Sequence, residues 1–180
     1  MASNGRSRDT NTTRKGRKLE IYAEQLFKEL GKWFVKRNVY YSFRSLVRDR
    51  VVRRVQVDVK YYDLYGKTIV ECKYYDAWRV SAQDVQDFKK KIDLIRPSTA
   101  LIVTNNTLTE EGEVLARRFG IRVYDHDELQ RLDYERKSLV GMVMQNLGKR
   151  RKTLEEQLQE IDLRSYDSNR HYHVTQYVLF

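Results

Sequence analysis

The chain has 180 residues, of which 41% are hydrophobic, and this is enough for one domain with its own core. A formal net charge of +10 and a pI of about 9.6 make a polyanion the first partner to consider. The single cysteine, Cys72, excludes a disulfide framework and a multi-cysteine zinc site. We therefore expect an intracellular protein, cytoplasmic or nucleoid-associated. No apolar run reaches the length of a membrane span, so no membrane partner is expected.

The N-terminal region divides into a polar arm and a helix. Residues 1–15 are polar and basic, which predicts a flexible arm. From Arg17 the apolar residues recur with helical spacing until Gly31, where the helix is expected to end. Glu20 lies at the edge of the apolar stripe. The stripe consists of Leu19, Tyr22, Ala23, Leu26, Phe27 and Leu30.

Three strands are predicted next. Residues 33–43 are rich in aromatic and β-branched side chains, and residues 51–62 and 67–75 form a hairpin around a four-residue loop. The loop pairs Tyr62 with Lys67. Simple alternation predicts that Val55, Val57, Val59 and Tyr61 share one face. The same register sets Asp58 opposite Glu71 and Gln56 opposite Lys73.

Strands and helices alternate from residue 81 onward. This alternation is typical of parallel crossover connections, so the sequence predicts an α/β fold with a mixed sheet and helices on both faces. The elements are a helix opened by a Ser81–Asp84 capping box, a buried strand at 99–103, a helix started by Thr107 and Glu110 and closed by Gly120, a strand at 121–124, and a cap made by Asp125 and Glu128.

The last fifty residues form a predicted extension. Residues 128–147 carry a helical pattern, and Thr153 with Glu156 caps a short helix. The end, HYHVTQYVLF, alternates like a strand, and an exposed apolar strand favours a contact between two copies of the chain. We therefore divide the chain into an arm at 1–15, a core at 16–130 and a helical extension at 131–180, and expect a homodimer.

The hairpin carries the most informative chemistry. Two carboxylates on facing strands, Asp58 and Glu71, repel each other unless a proton or a cation lies between them. Mg²⁺ suits such oxygen ligands, and the Lys73 ammonium lies close enough to reach a water or a phosphate oxygen. The alternative is an ordinary charged hairpin in which Lys60 or Lys73 neutralises the acids on a solvated face.

These residues resemble a known family. Asp58, followed after twelve residues by Glu71-Cys72-Lys73, resembles the PD-(D/E)xK signature of restriction-endonuclease-like nucleases, with Val57 in place of the proline. Residues 15–31 are similar to the opening of archaeal Holliday-junction resolvases, and residues 81–129 resemble Mrr-type restriction endonuclease domains. The resemblance implies the restriction-endonuclease-like fold for the core.

The resemblance also implies roles. Glu20, Asp58 and Glu71 would bind one or two Mg²⁺ ions, with Mn²⁺ as a substitute, and the backbone carbonyl of Cys72 would be a further ligand. Lys73 would position or help deprotonate the attacking water and stabilise the transition state. The helical Gln86 would orient the lysine or a phosphate. Core packing is the expected role of the Cys72 side chain itself.

Basic residues supply the expected DNA contacts. Around the strands they alternate with aromatic side chains, a pattern that suits phosphates and sugars, although a half-buried strand with a solvated face is the alternative. The expected DNA-binding residues are Arg14, Lys15, Arg17, Arg44, Arg48, Arg50, Arg53 and Arg54.

Together these features predict a Mg²⁺-dependent DNA endonuclease with a resolvase-like preference for branched DNA. Two alternatives stay open: an Mrr-like restriction endonuclease, and a non-catalytic DNA-binding protein on the nuclease fold.

Overall fold

The computed structural model describes residues 9–47, 50–136, 152–163, 165–166 and 171–178. The helices in these ranges are α1 (Asp9–Glu29), α2 (Ala82–Ile95), α3 (Glu110–Arg118), α4 (His126–Arg136) and α5 (Leu154–Glu160). The strands are β1 (Trp33–Ser45), β2 (Val51–Asp63), β3 (Gly66–Lys73), β4 (Thr99–Thr104), β5 (Arg122–Tyr124) and β6 (Tyr172–Val178).

These strands form one mixed sheet in the order β5-β4-β3-β2-β1-β6. β1, β2 and β3 are antiparallel neighbours, whereas β3, β4 and β5 run parallel to one another through crossover helices. The predicted α/β class, with an antiparallel front half and a parallel back half, is confirmed.

Helices cover both faces of the sheet. α1, α4 and α5 pack on one face, which we call the α1 side, and α2 and α3 pack on the other, which we call the α2 side. Adjacent residues of β3 point to opposite sides, with Val70 in the α1-side core and Ile69 in the α2-side core. A site that uses side chains from both layers therefore needs an interruption of the sheet between them.

α1 is longer than predicted. It begins at Asp9 rather than near Arg17, so residues 9–15 of the predicted arm are helical, and residues 1–8 lie outside the described ranges. It ends as predicted before Gly31, whose φ of +72° suits glycine. The apolar stripe of the helix is buried against the sheet from Leu19 to Phe27.

The predicted caps of α2, α4 and α5 are confirmed, with the N–H of Glu128 donating to Asp125 at α4, and the predicted start of α3 is wrong. Ser81 and Asp84 form a full capping box at α2, as Thr153 and Glu156 do at α5. α3, however, is capped by Thr109, whose hydroxyl accepts a hydrogen bond from the N–H of Gly112 at 3.1 Å. The predicted start at Thr107 is too early, because the residue after it, Leu108, pairs as an extended bridge with Val80.

β1 changes the face that it presents halfway along its length. Arg37 contacts carboxylates of α1, whereas Val39 packs in the core on the α2 side. Asn38 lies between them with a left-handed backbone of φ +53°. Regular alternation would put residues 37 and 39 on the same face, so this residue is where the pleat is interrupted.

β2 changes face at the same level. Val59 is paired with Arg37 and packs on the α1 side, whereas Val57 is paired with Val39 and packs on the α2 side. Asp58 lies at the change. The predicted sharing of one face by residues 55, 57, 59 and 61 is therefore wrong, because alternation holds only within each half of the strand.

Both described parts of the predicted extension pack on the core. Leu154 and Leu158 of α5 are buried on the α1 side, and β6 adds to the sheet as a parallel neighbour of β1. The predicted helix over 128–147 corresponds to α4 as far as Arg136, and residues 137–147 lie outside the described ranges. Among the helices that the structure describes, none is long and apolar enough to cross a membrane.

Candidate active site

The β2–β3 ladder stops just before the predicted acidic pair. The predicted pairing of Tyr62 with Lys67 is confirmed, but the last paired residues are Val59 and Val70. The predicted pairs of residues 58 with 71 and 56 with 73 lie beyond that point. There the N–H of Cys72 donates instead to Oδ2 of Asp58 at 2.7 Å. The Asp58 carboxylate thus satisfies a backbone donor that the neighbouring strand no longer reaches.

Glu71 lies on the α2 side of this gap and is buried, with 7% of the residue exposed. Its two oxygens contact two different cations. Lys91 of α2 donates to Oε2 at 2.6 Å, and the Lys73 ammonium lies 3.3 Å from Oε1. A buried carboxylate requires such compensation, because its charge is poorly solvated away from water.

Glu20 approaches from the α1 side together with an arginine. Arg37 is buried, and its Nε donates to Glu24 at 3.3 Å. The same guanidinium lies 3.9 Å from a carboxylate oxygen of Glu20. α1 therefore contributes one site carboxylate and a second one that holds Arg37 in place.

The three carboxylates act on one another electrostatically. Burial and the Asp58 charge raise the pKa of Glu20 to about 8, while Arg37 and Arg17 act in the opposite direction. Burial and the Glu71 charge raise the pKa of Asp58 to about 7, against the hydrogen bond from Cys72 and the charges of Lys91 and Lys73. Negative charge is thus concentrated at this point beyond what the protein's own cations neutralise.

Lys73 is fixed by a second carboxylate, Asp84 of α2, which lies 3.5 Å from its ammonium. Burial disfavours the lysine charge, but Glu71 and Asp84 outweigh this effect and raise the pKa of Lys73, so the side chain is an ammonium at neutral pH. Asp84 is itself held by the N–H and hydroxyl of Ser81 at 3.0 and 2.8 Å and by the hydroxyl of Tyr75 at 2.9 Å.

These hydrogen bonds also set the charge of Asp84. Burial alone would raise the pKa of Asp84, but the donors from Ser81 and Tyr75 and the nearby Lys73 outweigh it and hold the value below its ordinary range. Asp84 is therefore an anion over the physiological range, and it pairs with the Lys73 ammonium throughout that range.

The donor set suits a hard divalent cation. Glu20, Asp58 and Glu71, from three segments, supply carboxylate oxygens as ligands. Burial, and after it mutual repulsion, raises the pKa of Glu20 and of Asp58, and a bound cation would favour their charged forms. In the described ranges no three His, Cys, Asp or Glu side chains are arranged as a complete metal site, and lysines contact both Glu71 oxygens. Ion binding therefore requires side-chain adjustment at Glu71.

The thiol of Cys72 has no place in this chemistry. It is partly buried and packs against the α1-side core, as predicted. Burial and the surrounding carboxylates raise the pKa of the Cys72 thiol well above its ordinary value, so it is protonated and a poor nucleophile.

The structure brings together four of the five predicted catalytic residues. Asp58, Glu71 and Lys73 lie at the gap, and the charge of Glu20 acts on both acids, but Gln86 is exposed on α2. Among the described residues, Asp84 makes the contact with Lys73 that was expected of Gln86.

Sequence analysis missed three residues of the site: Arg37, Asp84 and Lys91. Asp84 was identified as a helix cap, and its position in the first turn of the helix that follows the Lys73 strand was the available signal. Lys91 carried no local signal, because nothing in a lysine-rich helix marks which lysine turns inward. Arg37 carried none either, because its orientation depends on the interrupted pleat.

The predicted DNA-binding residues fall in different places. Arg14 and Lys15 line a cleft between α1 and α5, where Lys15 pairs with Asp76. The charge of Arg17 acts on Glu20. Arg44 is half-buried in β1, Arg50, Arg53 and Arg54 are exposed at the start of β2, and Arg48 lies outside the described ranges.

Comparisons with known proteins bear on the family and the fold of this chain. The family model Mrr_cat, described as "Restriction endonuclease", matches residues 13–132, which is more than half of the chain. A similar solved structure is titled "Crystal Structure of Protein of Unknown Function AF1548", with 18% sequence identity and a TM-score of 0.51. The match covers 59% of this chain and 56% of that one, and at this identity it supports the fold alone. No curated protein matches the chain.

Proposed function

Because this chain belongs to the Mrr_cat family of restriction endonucleases, we propose that it cleaves DNA internally, hydrolysing phosphodiester bonds with the help of Mg²⁺. The observation that carries the proposal is the gap between β2 and β3. There the charges of Asp58 and Glu71 act on Glu20, which approaches from the opposite layer. The Lys73 ammonium lies beside Glu71.

The three carboxylates would hold one or two divalent ions, Mg²⁺ or in its place Mn²⁺, and the carbonyl of Cys72 would complete the set. A bound divalent ion lowers the pKa of water and neutralises charge that develops on the phosphate. Asp58 is positioned for this role by the Cys72 N–H, which fixes one of its oxygens and leaves the other available.

Lys73 supplies a fixed positive charge beside the carboxylates. As an ammonium it can donate to a phosphate oxygen or to the attacking water, and it stabilises negative charge in the transition state. Asp84 keeps the ammonium aimed at the site by pairing with it, and Ser81 and Tyr75 keep Asp84 in place. Arg37 has the equivalent function for Glu20.

Two DNA substrates remain candidates. The extent of the family match, from residue 13 to residue 132, favours a duplex substrate of the restriction type, whereas the likeness of residues 15–31 to resolvases favours branched DNA. Cutting both strands of either substrate needs two active sites, and for this reason we propose a homodimer.

A cleavage assay tests the function. We expect purified protein to cut at least one of linear duplex, flap, four-way junction or single-stranded DNA with Mg²⁺ or Mn²⁺, and to cut none in EDTA. Asp58→Asn should reduce cleavage at least about 1000-fold, because it weakens ion binding and the charge stabilisation that depends on it. Binding of the same DNA should persist or become tighter, because a negative charge is lost.

Glu113→Gln is a matched control, since it removes an exposed carboxylate of α3 that lies 3.9 Å from the exposed Arg117. It should cleave like the unaltered protein. If the protein cuts none of these substrates with either ion, the nuclease proposal is wrong and the DNA-binding alternative is left.

A further inference from the structure

A basic cleft on the α2 side of the protein shares one lining residue, Lys91, with the candidate active site. It has a volume of about 320 Å³ and lies between the start of β2 and one flank of α2. Its charged and polar lining consists of Arg53, Arg54, Gln56, Asp87, Lys90 and Lys91. The first two were predicted to bind DNA, whereas the lysines of α2 carried no sequence signal.

Lys91 connects this cleft to the catalytic carboxylates. Its side chain lines the cleft, and its ammonium lies 2.6 Å from Oε2 of Glu71. A phosphate that contacts Lys91 from the cleft therefore lies next to Glu71. The cleft and the active site therefore share Lys91.

The charges of the cleft favour an extended anion. Four cations line it against one carboxylate, Asp87, which already pairs with Lys90 at 2.6 Å. Arg53 and Arg54 are exposed, as is Lys90, with 63% of its side chain accessible. Solvated cations that line one cleft can neutralise phosphates of a nucleic acid backbone, and the counterions that they displace favour binding.

We infer that this cleft binds the phosphate backbone of the duplex DNA strand that leads into the active site, with Lys91 contacting the phosphate nearest to Glu71. The inference rests on the proposed function for the choice of DNA, but the binding that it describes needs no cleavage. Phosphate contacts of this kind position the substrate and carry no sequence information.

Single substitutions in α2 and β2 test the inference. Binding of a fluorescent DNA duplex is measured by fluorescence anisotropy over a range of salt concentrations. EDTA is present throughout, so that no cleavage occurs. Lys90→Ala and Arg54→Ala should each weaken binding roughly three- to tenfold, as expected for a lost surface charge contact. Each should also lower the slope of log affinity against log salt by about 0.9.

The control on α2 is Lys89→Ala. Lys89 has the same charge but pairs with Asp93 and lies over the ring of Phe119, away from the cleft. It should bind DNA like the unaltered chain. Asp87→Ala should have the opposite effect and tighten binding, because it removes the carboxylate that competes with phosphate for Lys90. Circular dichroism melting checks that each variant is folded.

The outcomes separate this inference from the proposed function. If Lys90→Ala, Arg54→Ala and Lys89→Ala bind DNA equally well, the inference that the cleft binds DNA is wrong. This holds even if cleavage dependent on Asp58 is found. Lack of duplex binding by the unaltered chain would overturn it as well. The expected binding pattern in a protein that cuts no DNA would support the cleft and remove the nuclease proposal.

Discussion

Asp58 combines a structural contact with an unfavourable charge. Its carboxylate accepts the Cys72 N–H at 2.7 Å, where the β2–β3 ladder has ended. The same carboxylate is disfavoured as an anion by burial and by Glu71. The contact needs only an oxygen acceptor, whereas ion binding needs the negative charge. Substitutions at this position can therefore separate the two.

In EDTA, Asp58→Asn should melt at a higher temperature than the unaltered protein, because the amide oxygen still accepts from Cys72 while the repulsion is removed. Asp58→Ala should be less stable than Asp58→Asn by about 1–3 kcal/mol, because the Cys72 N–H loses its acceptor. Thermal melting of the three proteins measures both differences. Equal melting of the Asn and Ala variants would contradict the structural contact.

The unaltered protein and Asp58→Asn should also differ in how their stability depends on pH. Folding raises the pKa of Asp58 from 3.8 to about 7, so between these values the folded state binds more protons than the unfolded state. Stability from this group therefore falls as pH rises through that window and is constant above it. The melting advantage of Asp58→Asn in EDTA should widen from about pH 5 to about pH 8. A constant difference would show that Asp58 ionises normally.

At this scale the sequence predicted the residues whose spacing defines the motif. Asp58, Glu71 and Lys73 follow from hairpin register and a twelve-residue interval. Lys91 and Arg37 could not be predicted, because their roles depend on which side chain of a helix or an interrupted strand turns toward the gap. Gln86 was predicted from the family pattern, yet a different residue of the same helix, Asp84, reaches Lys73.

The sequence predicted the ends of helices better than it predicted which faces of the strands are buried. The helix ends follow from local chemistry, as the capping boxes of α2 and α5 demonstrate. The faces of β1 and β2 do not, because a left-handed Asn38 reverses the pleat without any break in the apolar pattern. Alternation is therefore reliable within each half of β2 and fails across Asp58.

The cap of α3 gives a prediction for a single element. Thr109→Ala should destabilise the protein by about 1 kcal/mol, because the N–H of Gly112 loses its hydroxyl acceptor. Thr107→Ala, two residues earlier and exposed, is the control and should change the free energy of unfolding by less than about 0.5 kcal/mol. Chemical denaturation measures both. A larger effect at residue 107 would restore the earlier helix start.

One edge strand of the sheet, β6, comes from a segment that is distant in the sequence from its neighbour β1. β6 pairs with β1 over seven residues and contributes Tyr172, Val174 and Val178 to the α2-side core. The sequence predicts a strand at the C-terminal end, but the partner of that strand could not be predicted, because parallel pairing carries no turn signal. Dimer formation through this strand stays a prediction.

Deletion of residues 171–180 should lower the melting temperature by about 5–10 °C, since it removes a strand and exposes the β1 edge. Increased light scattering is expected with it, because an unpaired edge promotes association. Tyr177→Ala, which alters a side chain that is 61% exposed, should shift melting by less than about 2 °C. Unchanged melting of the deleted protein would mean that β6 contributes little to the fold.

Asn38 lies on β1 between residues paired with Val59 and Val57, and the reversal of the pleat that brings the two layers of acids to one gap coincides with its left-handed backbone. Few side chains accept that conformation: glycine does so freely, and asparagine and aspartate more readily than the rest. Natural relatives that retain this gap are therefore expected to choose among these three residues at the position. Such a restriction would reveal selection for a backbone conformation at this position.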